Sequence, residues 1–213
     1  MSRRPDVWVA RHGETEWSKA GRHTGLSDVE LTPAGEAAAG EIRQRLQAQW
    51  HDLAHDQALG QSHEQAHGQS GDRSFDRVLT SPLRRARRTA ELAGFGDLAE
   101  VDKDLVEWNY GEHEGRRTVD IRLTVPDWSI WSHGSAEGES LEDVSARADR
   151  VIAGLVATDG RVLVFSHGHF LRVLAARWAT LAPEAGQHLV LDTARLGVLS
   201  WYREVPVLRH WNT

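Results

Sequence analysis

Three short segments that contain large apolar residues, at positions 7–10, 75–80 and 162–165, each end abruptly in polar or charged residues. Runs of this length with polar ends are typical of buried β-strands. Each run is followed by a segment with apolar residues at helical spacing, most clearly at 83–92 and 170–181. An order of strand, helix, strand predicts a mostly parallel sheet with helices on both faces.

Further helices are predicted at 32–50 and 141–156, where apolar positions recur at helical spacing. Thr32 and Ser81 each precede a proline, and a hydroxyl residue followed by proline is typical of a helix N-cap and its first helical position. Residues 138–140, Gly-Glu-Ser, give a start signal for the helix at 141–156.

Two segments lack such periodicity. Residues 107–138 are rich in Gly and Trp and predict a long excursion from the sheet. Residues 51–73 are rich in His, Gln, Gly and Ser and predict a flexible insertion, whose four histidines are interpreted as part of a solvated polar loop rather than a metal site. A chain of 213 residues is otherwise predicted to be a single domain, 1–213.

Composition narrows the classes of protein. The absence of cysteine excludes disulfide scaffolds, thiolate metal sites and cysteine nucleophiles. A formal net charge of -6 argues against a nucleic-acid partner. No run approaches the roughly 20 apolar residues of a spanning helix, and the N-terminus lacks a signal-type segment, so no membrane association and a cytoplasmic location are expected.

The predicted strands end in residues that suit an anion site. The first ends in Arg11-His12-Gly13 and the third in Ser166-His167-Gly168. The helix after the second strand carries four arginines, at 84, 85, 87 and 88. Ligand sites of open α/β sheets collect at the carboxyl edge, and a glycine after each histidine lets the backbone approach a phosphate oxygen. We therefore expect a phosphate site at this edge.

A neutral imidazole is a good nucleophile toward phosphorus, and a phosphorylated histidine can be hydrolysed in turn. The protein must then neutralise the phosphoryl oxygens and protonate the leaving oxygen. Arginines and a second histidine suit the first task, and a carboxylic acid suits the second. Spacing alone does not choose among the acidic candidates, which are Glu14, Glu16, Glu107, Glu112 and Glu114.

Several motifs in order carry a resemblance to a known family. They are Arg-His-Gly-Glu-Thr-Glu-Trp at 11–17, Thr24-Gly25, residues 31–35, residues 80–89, Glu107 with Tyr110-Gly111, residues 138–140, and Ser166-His167-Gly168. With these motifs the chain resembles the histidine phosphatase superfamily, in the branch that contains the cofactor-dependent phosphoglycerate mutases. The resemblance implies a three-layer α/β/α sandwich, phosphoglycerate mutase-like, with a mostly parallel central sheet.

The resemblance also implies residue roles. His12 is the phosphorylated nucleophile, Arg11 and Arg85 clamp the phosphoryl group, His167 donates to its oxygens, and Glu107 is the proton donor. The substrate side is expected to include Ser18, Thr24, Gly25, Tyr110, Gly168 and His169.

Two departures from the mutases bear on the reaction. Ser18 stands where the mutases usually have asparagine, and Arg116-Arg117 lies too close to Glu107 to match their substrate-gripping arginine pair. The sequence Ser166-His167-Gly168-His169-Phe170 resembles the corresponding motif in a subgroup of bacterial acid phosphatases and fungal sugar-bisphosphatases. We therefore expect hydrolysis of small phosphorylated metabolites, of the acid or sugar phosphatase type.

This expectation includes no metal and no cofactor, and allows a homodimer. The alternatives are a phosphoglycerate mutase, a non-catalytic module that binds phosphorylated ligands, and a metal-dependent hydrolase using His12, His167 and His169.

Overall fold

The structure, a computed structural model, describes residues 4–49 and 75–213. Its centre is a six-stranded sheet with the strand order β3-β2-β4-β1-β5-β6. The strands are β1 (Asp6–Arg11), β2 (Arg77–Thr80), β3 (Ala99–Val101), β4 (Arg161–Ser166), β5 (Leu196–Tyr202) and β6 (Val205–Trp211).

The three predicted strands form the middle of this sheet. They are β1, β4 and β2, which pair in parallel, and β3 extends the parallel part. The other edge is an antiparallel hairpin of β5 and β6, with β5 paired to β1. The prediction did not include this hairpin. Proline is unfavourable in most strands, so Pro206 argues against a strand at 205–211. It is tolerated in β6 because β6 is an edge strand, where its missing N–H need not pair with a neighbouring strand.

Eight helices accompany the sheet in the described parts of the chain. They are α1 (Glu16–Lys19), α2 (Pro33–Gly40), α3 (42–49), α4 (Arg84–Leu92), α5 (Thr118–Ile121), α6 (Ile130–His133), α7 (Leu141–Val156) and α8 (Gly168–Trp178). Short 3-10 helices lie at Gly96–Leu98, Lys103–Leu105, Gly111–His113 and Pro183–His188.

Two helix starts are confirmed. The Thr32 hydroxyl accepts a hydrogen bond from Gly35, and Pro33 occupies the first turn of α2. Ser140 caps α7 in a reciprocal capping box with Asp143. The α7 bounds agree with the predicted helix at 141–156.

Three helix predictions need correction. The predicted helix 32–50 is interrupted at Glu41, whose N–H bonds to Ala38 three residues back and tightens the turn between α2 and α3. Helix α4 begins at Arg84 with Leu83 as its N-cap, so Ser81 is not the cap. Helix α8 begins two residues before the predicted start, with His167 as its N-cap, and it ends at Trp178.

The core lies in two layers, one on each face of the sheet. Side chains of β1 alternate between them, with Val7 and Val9 packing toward α7 and α8, and Trp8 and Ala10 packing toward α3 and α4. Strands buried on both faces are continuous hydrophobic runs, as the sequence shows at 7–10 and 162–165. The predicted three-layer α/β/α sandwich is confirmed.

Residues 107–138 contain three short helical turns and pair with the loop after α1, through a bridge between Arg22 and Arg117. The predicted insertion, 51–73, lies outside the described residues. Among the described helices, none is long and apolar enough to cross a membrane.

Candidate active site

The two histidines that follow β1 and β4 lie side by side. Arg11 and Ser166 are partners in the parallel register, so the residues after them emerge at the same edge of the sheet. The backbone N–H of His12 donates to the carbonyl of Ser166 at 3.0 Å. The ring centroids of His12 and His167 are 5.1 Å apart. The parallel register therefore places both side chains in one site.

The His12 ring is buried, and its tautomer is fixed by the backbone. Its Nδ1 lies 2.7 Å from the carbonyl oxygen of Gly13, which can only accept, so Nδ1 carries the proton. Burial, and then the charges of Arg85 and Arg11, hold the pKa of His12 well below its ordinary value. The imidazole is therefore neutral near pH 7, with a free lone pair on Nε2.

His167 is fully buried, and both of its ring nitrogens have protein partners. Arg85 Nε donates to Nδ1 at 3.1 Å, so the proton of the neutral ring is on Nε2, 2.7 Å from Ser81 Oγ. Burial and the neighbouring Arg85 lower the pKa of His167 strongly. Sequence reasoning assigned Ser81 to a helix cap and missed this contact. Its position at the end of β2 was the available signal.

Arg85 is the one arginine of α4 that points inward. It is fully buried, whereas Arg84, Arg87 and Arg88 are exposed. Its Nη atoms donate to the carbonyls of the loop after α1, at Ser27 (2.8 Å), Gly25 (2.8 Å) and Thr24 (3.2 Å). These carbonyls are neutral, so the guanidinium charge is held in place without a carboxylate partner among the described residues.

Arg11 is a second buried guanidinium, and part of it lacks a partner. Nη1 donates to the carbonyl of Leu191 at 2.6 Å, while Nε is buried without a hydrogen-bond partner in the described parts of the chain. Burial lowers the pKa of Arg11. Gly168 packs against this group, since a Cβ there would lie 3.0 Å from Arg11 Cζ. An unpaired buried N–H is costly and fits a site that receives an anion.

Among the acidic candidates, Glu107 is the one that lies in the same site as His12. Its carboxylate accepts three backbone N–H bonds, from Trp108 (2.9 Å), His169 (3.0 Å) and Phe170 (2.8 Å). The last two donors belong to the first turn of α8, where backbone N–H groups lack helical partners. Helix α8 therefore holds the Glu107 carboxylate beside the site.

Two of the other acidic candidates have structural contacts elsewhere. Glu114 accepts from the backbone N–H groups of Gly25 and Ser27. Glu14 accepts from the Thr32 hydroxyl at 2.8 Å.

A cavity of about 180 Å³ opens onto these groups. Its volume is below the ~300–1,000 Å³ of drug-sized sites, which favours a small ligand. The lining residues are Arg11, His12, Ser18, Gly21, Arg22, His23, Thr24, Glu107, Tyr110 and His169. Arg85 and His167 do not line this cavity; they contact each other, and the His167 ring lies beside the His12 ring.

Four of the six predicted substrate-side residues line the cavity. Gly25 and Gly168 do not. The Gly25 amide is engaged by Glu114, and Gly168 packs on Arg11. The Ser18 hydroxyl, although it lines the cavity, also caps α1 by accepting from the N–H of Thr15 and donating to its carbonyl.

The remaining wall is a group of neutral rings. Tyr110 Oη lies 2.7 Å from His169 Nδ1. Burial raises the pKa of Tyr110 and lowers the pKa of His169, so neither group is charged near pH 7. His23 packs on Tyr110 with ring centroids 4.7 Å apart, and its Nε2 lies 3.1 Å from Thr118 Oγ1. Sequence reasoning missed His23 and Arg22 as cavity residues.

A larger cleft, of about 480 Å³, lies between α2 and α4. Charged residues line it, and several are paired across it, as in Arg84 with Glu30 and Arg88 with Glu36. Within the described residues, no group of three or more His, Asp or Glu side chains could hold a metal ion. The smaller cavity is therefore the candidate active site.

We expect His23 to make the folded state less stable in acid. Burial lowers the pKa of His23 to about 4, so between about pH 4 and its ordinary pKa of about 6.5 the unfolded chain binds one more proton. Stability therefore rises with pH through this window. Urea unfolding at pH 7 and pH 4 should show that wild type loses about 2–3 kcal/mol more than His23→Phe, which keeps a ring there. Equal losses in the two proteins would contradict this role.

The segment that carries Glu107 is held by a buried ion pair. Arg147 makes a bidentate contact with Glu139, at 3.0 and 2.9 Å. It also donates to the carbonyls of Asp104 and Val106, both at 2.7 Å. Glu139 in turn accepts from the N–H of Asn109. Glu139 of the motif at 138–140 therefore helps to fix the backbone on both sides of Glu107, through Arg147 and through Asn109. This role is additional to the start of α7.

Glu139→Gln is expected to lower the free energy of unfolding by about 3 kcal/mol, because it leaves a nearly buried guanidinium without its counter-charge. Adding Arg147→Met should recover part of that loss, since no unpaired charge then remains. Asp149→Asn, which breaks the exposed pair with Arg177, is the control and should cost at most about 1 kcal/mol. A loss from Glu139→Gln no greater than the control's, in urea unfolding, would show that the pair is dispensable.

The fold and this site define a class of protein. A sequence profile of the histidine phosphatase superfamily, branch 1, matches residues 7–56 and 57–213. The chain belongs to this superfamily.

Individual relatives include phosphatases. The chain is 40% identical over 192 residues to an acid phosphatase of Mycobacterium tuberculosis, covering 89% of this chain and 83% of the relative. It is 33% identical over 200 residues to sedoheptulose 1,7-bisphosphatase of Saccharomyces cerevisiae, covering 82% and 67%. A solved structure of an open reading frame product of M. tuberculosis superposes with a TM-score of 0.81 at 36% identity, covering 99% and 98%.

Proposed function

We propose that this protein is a phosphomonoesterase that hydrolyses small phosphorylated metabolites, of the acid or sugar phosphatase type, through a phosphohistidine on His12. The observation that carries the proposal is the positive charge around His12. Two buried guanidinium groups, Arg11 and Arg85, lie around a neutral His12 without an ion-pair partner among the described residues, and Arg11 Nε lacks a hydrogen bond. A phosphoryl group supplies the missing negative charge and acceptors.

In the first step, the lone pair of His12 Nε2 attacks phosphorus and the bond to the leaving oxygen breaks. The Gly13 carbonyl keeps the proton on Nδ1 and so directs Nε2 toward the substrate. Arg11 and Arg85 stabilise the charge on the phosphoryl oxygens. Glu107, in its protonated form, gives its proton to the leaving alkoxide.

In the second step, water attacks phosphorus and the P–N bond breaks. The Glu107 carboxylate takes a proton from that water, and His12 regains its neutral form with inorganic phosphate as the product. His167 would donate to a phosphoryl oxygen by exchanging its Nε2–H bond with Ser81 for one with the substrate.

Hydrolysis is favoured over mutase chemistry by the structure of the excursion. A mutase must retain its phosphorylated product while it reorients. Arg117 is exposed and paired with Asp120, and neither it nor Arg116 lines the cavity. The acid phosphatase and bisphosphatase relatives support the same choice.

The test is a screen for release of inorganic phosphate from sugar phosphates, sugar bisphosphates, phosphoglycerates and nucleotides. We expect release from several of these, with and without a strong chelator. Exchange of phosphate between phosphoglycerates, stimulated by bisphosphoglycerate and with little net release, would instead establish a mutase. Loss of activity on chelation would establish a metal-dependent hydrolase, and binding without turnover would establish a non-catalytic module.

We further propose that the protein is a single domain, in which residues 107–138 cover the site, that it is cytoplasmic and forms a homodimer, and that it depends on no metal, nucleic acid or membrane. Cell fractionation tests the location directly, and gel filtration tests the homodimer.

A further inference from the structure

Arg22 lies at the rim of the cavity whose base holds Arg11 and His12. All three residues line the same space, but Arg22 is exposed whereas His12 is buried. Arg22 therefore lies nearest the part of a ligand that is farther from the reacting phosphorus.

The backbone holds this position in place. The N–H of Arg22 donates to the carbonyl of Trp17 at 2.8 Å, and Arg22 pairs with Arg117 in an antiparallel bridge. The next residue, His23, donates to the carbonyl of Arg116 at 2.9 Å. Arg22 is thus joined both to α1 and to the excursion, so only its side chain must be ordered when a ligand binds.

The side chain of Arg22 keeps most of its donors for a ligand. In the described residues it makes one hydrogen bond, from Nη1 to the carbonyl of Gly115 at 3.3 Å, and no ion pair. Apart from Arg11, Arg22 and the acid Glu107, the side chains that line the cavity are neutral polar groups, namely His12, Ser18, His23, Thr24, Tyr110 and His169. Uncharged polar walls between two cationic positions suit a polar ligand with an anion at each end.

We propose that Arg22 binds a second anionic group of the substrate, a phosphate or a carboxylate, while the reacting phosphoryl group lies on His12. The substrates are then phosphate monoesters that carry another acidic group, such as sugar bisphosphates or phosphorylated hydroxy acids. This inference rests on the proposed function and specifies its substrate class. Arg22, in the loop after α1, then binds the second anion of the substrate. Arg116 and Arg117 of the excursion do not line the cavity and have no such role.

The expected effect is that of one charge-assisted contact at a partly solvated site. Loss of such a contact costs about tenfold in affinity, and it acts mainly on KM because the contact is made before and during the reaction alike.

The experiment compares Arg22→Gln with wild type on two matched pairs of substrates. Fructose 1,6-bisphosphate is paired with fructose 1-phosphate, and 3-phosphoglycerate with glycerol 3-phosphate. We expect wild type to prefer the two-anion member of at least one pair. Arg22→Gln should lower kcat/KM for that member about tenfold more than for its partner, mainly through KM. The pair that responds identifies the second group as phosphate or carboxylate.

Arg177→Gln is the matched control, because it removes the same charge from an exposed ion pair with Asp149. It should affect both members of a pair alike. The inference is overturned if wild type treats both pairs without preference, or if Arg22→Gln lowers activity equally on both members.

p-Nitrophenyl phosphate separates failure of this inference from failure of the proposed function. If wild type releases phosphate from none of these esters, including p-nitrophenyl phosphate, the proposed function fails. Calorimetric titration with fructose 1,6-bisphosphate and fructose 1-phosphate then decides the role of Arg22. About tenfold weaker binding of the bisphosphate alone to Arg22→Gln would support that role, and equal binding would overturn it.

Discussion

Replacement of His12 by alanine is expected to lower kcat by at least about 10⁴-fold on every substrate, because no other group can accept the phosphoryl group. The fold should persist. The His12 side chain makes its hydrogen bond with the neighbouring Gly13 and joins no distant elements through it. Phosphate release, measured together with the urea unfolding midpoint, checks both expectations.

The matched control for this variant is His188→Ala, which removes an exposed histidine at the end of a short 3-10 helix. It should retain wild-type turnover. His12→Gln gives a second test that fills the buried space with a polar group. Turnover near the wild-type level in a folded His12 variant would refute covalent catalysis by this residue.

Glu107→Gln is expected to separate substrates by their leaving groups. Alkyl phosphates need a proton on the departing oxygen, whereas p-nitrophenolate leaves without one. We expect kcat/KM to fall about 10³-fold for alkyl phosphates and at most about tenfold for p-nitrophenyl phosphate. This ratio reports the phosphorylation step, since kcat/KM includes nothing after the first irreversible step.

The leaving-group comparison is needed because Glu107→Gln also disturbs the structure. The glutamine has one acceptor oxygen, while the carboxylate accepts backbone N–H bonds on both of its oxygens. Such damage would lower activity on all substrates equally. A uniform loss would therefore remove Glu107 from the acid role. Glu112→Gln, at an exposed candidate acid five residues away, is the control and should leave the leaving-group dependence unchanged.

The sequence was sufficient for the centre of the fold and for much of the site. Two buried strands, each followed directly by His-Gly, lie in parallel register, so the two histidines can be placed side by side from the sequence. The inward orientation of Arg85 also agrees with its place in the motif, since the other arginines of α4 are exposed.

Features that depend on tertiary pairing could not be predicted in this way. The rim of the cavity forms when residues 22–23 pair with 115–117, and no local periodicity marks such a bridge. Ser81 has the sequence context of a helix cap, and its contact with His167 exists only because β2 and β4 are neighbours. The prediction also lacked the β5–β6 hairpin, in which β6 carries Pro206, a residue unfavourable in most strands.

The central claim is that His12 carries the phosphoryl group between substrate and water. Rapid mixing with a ³²P-labelled substrate, followed by an alkaline quench and peptide mapping, tests it most directly, because phosphohistidine survives alkali and is lost in acid. The account predicts an acid-labile label on His12 that forms and decays within one turnover. Turnover with no label on His12, or with an acid-stable label on another residue, would contradict it.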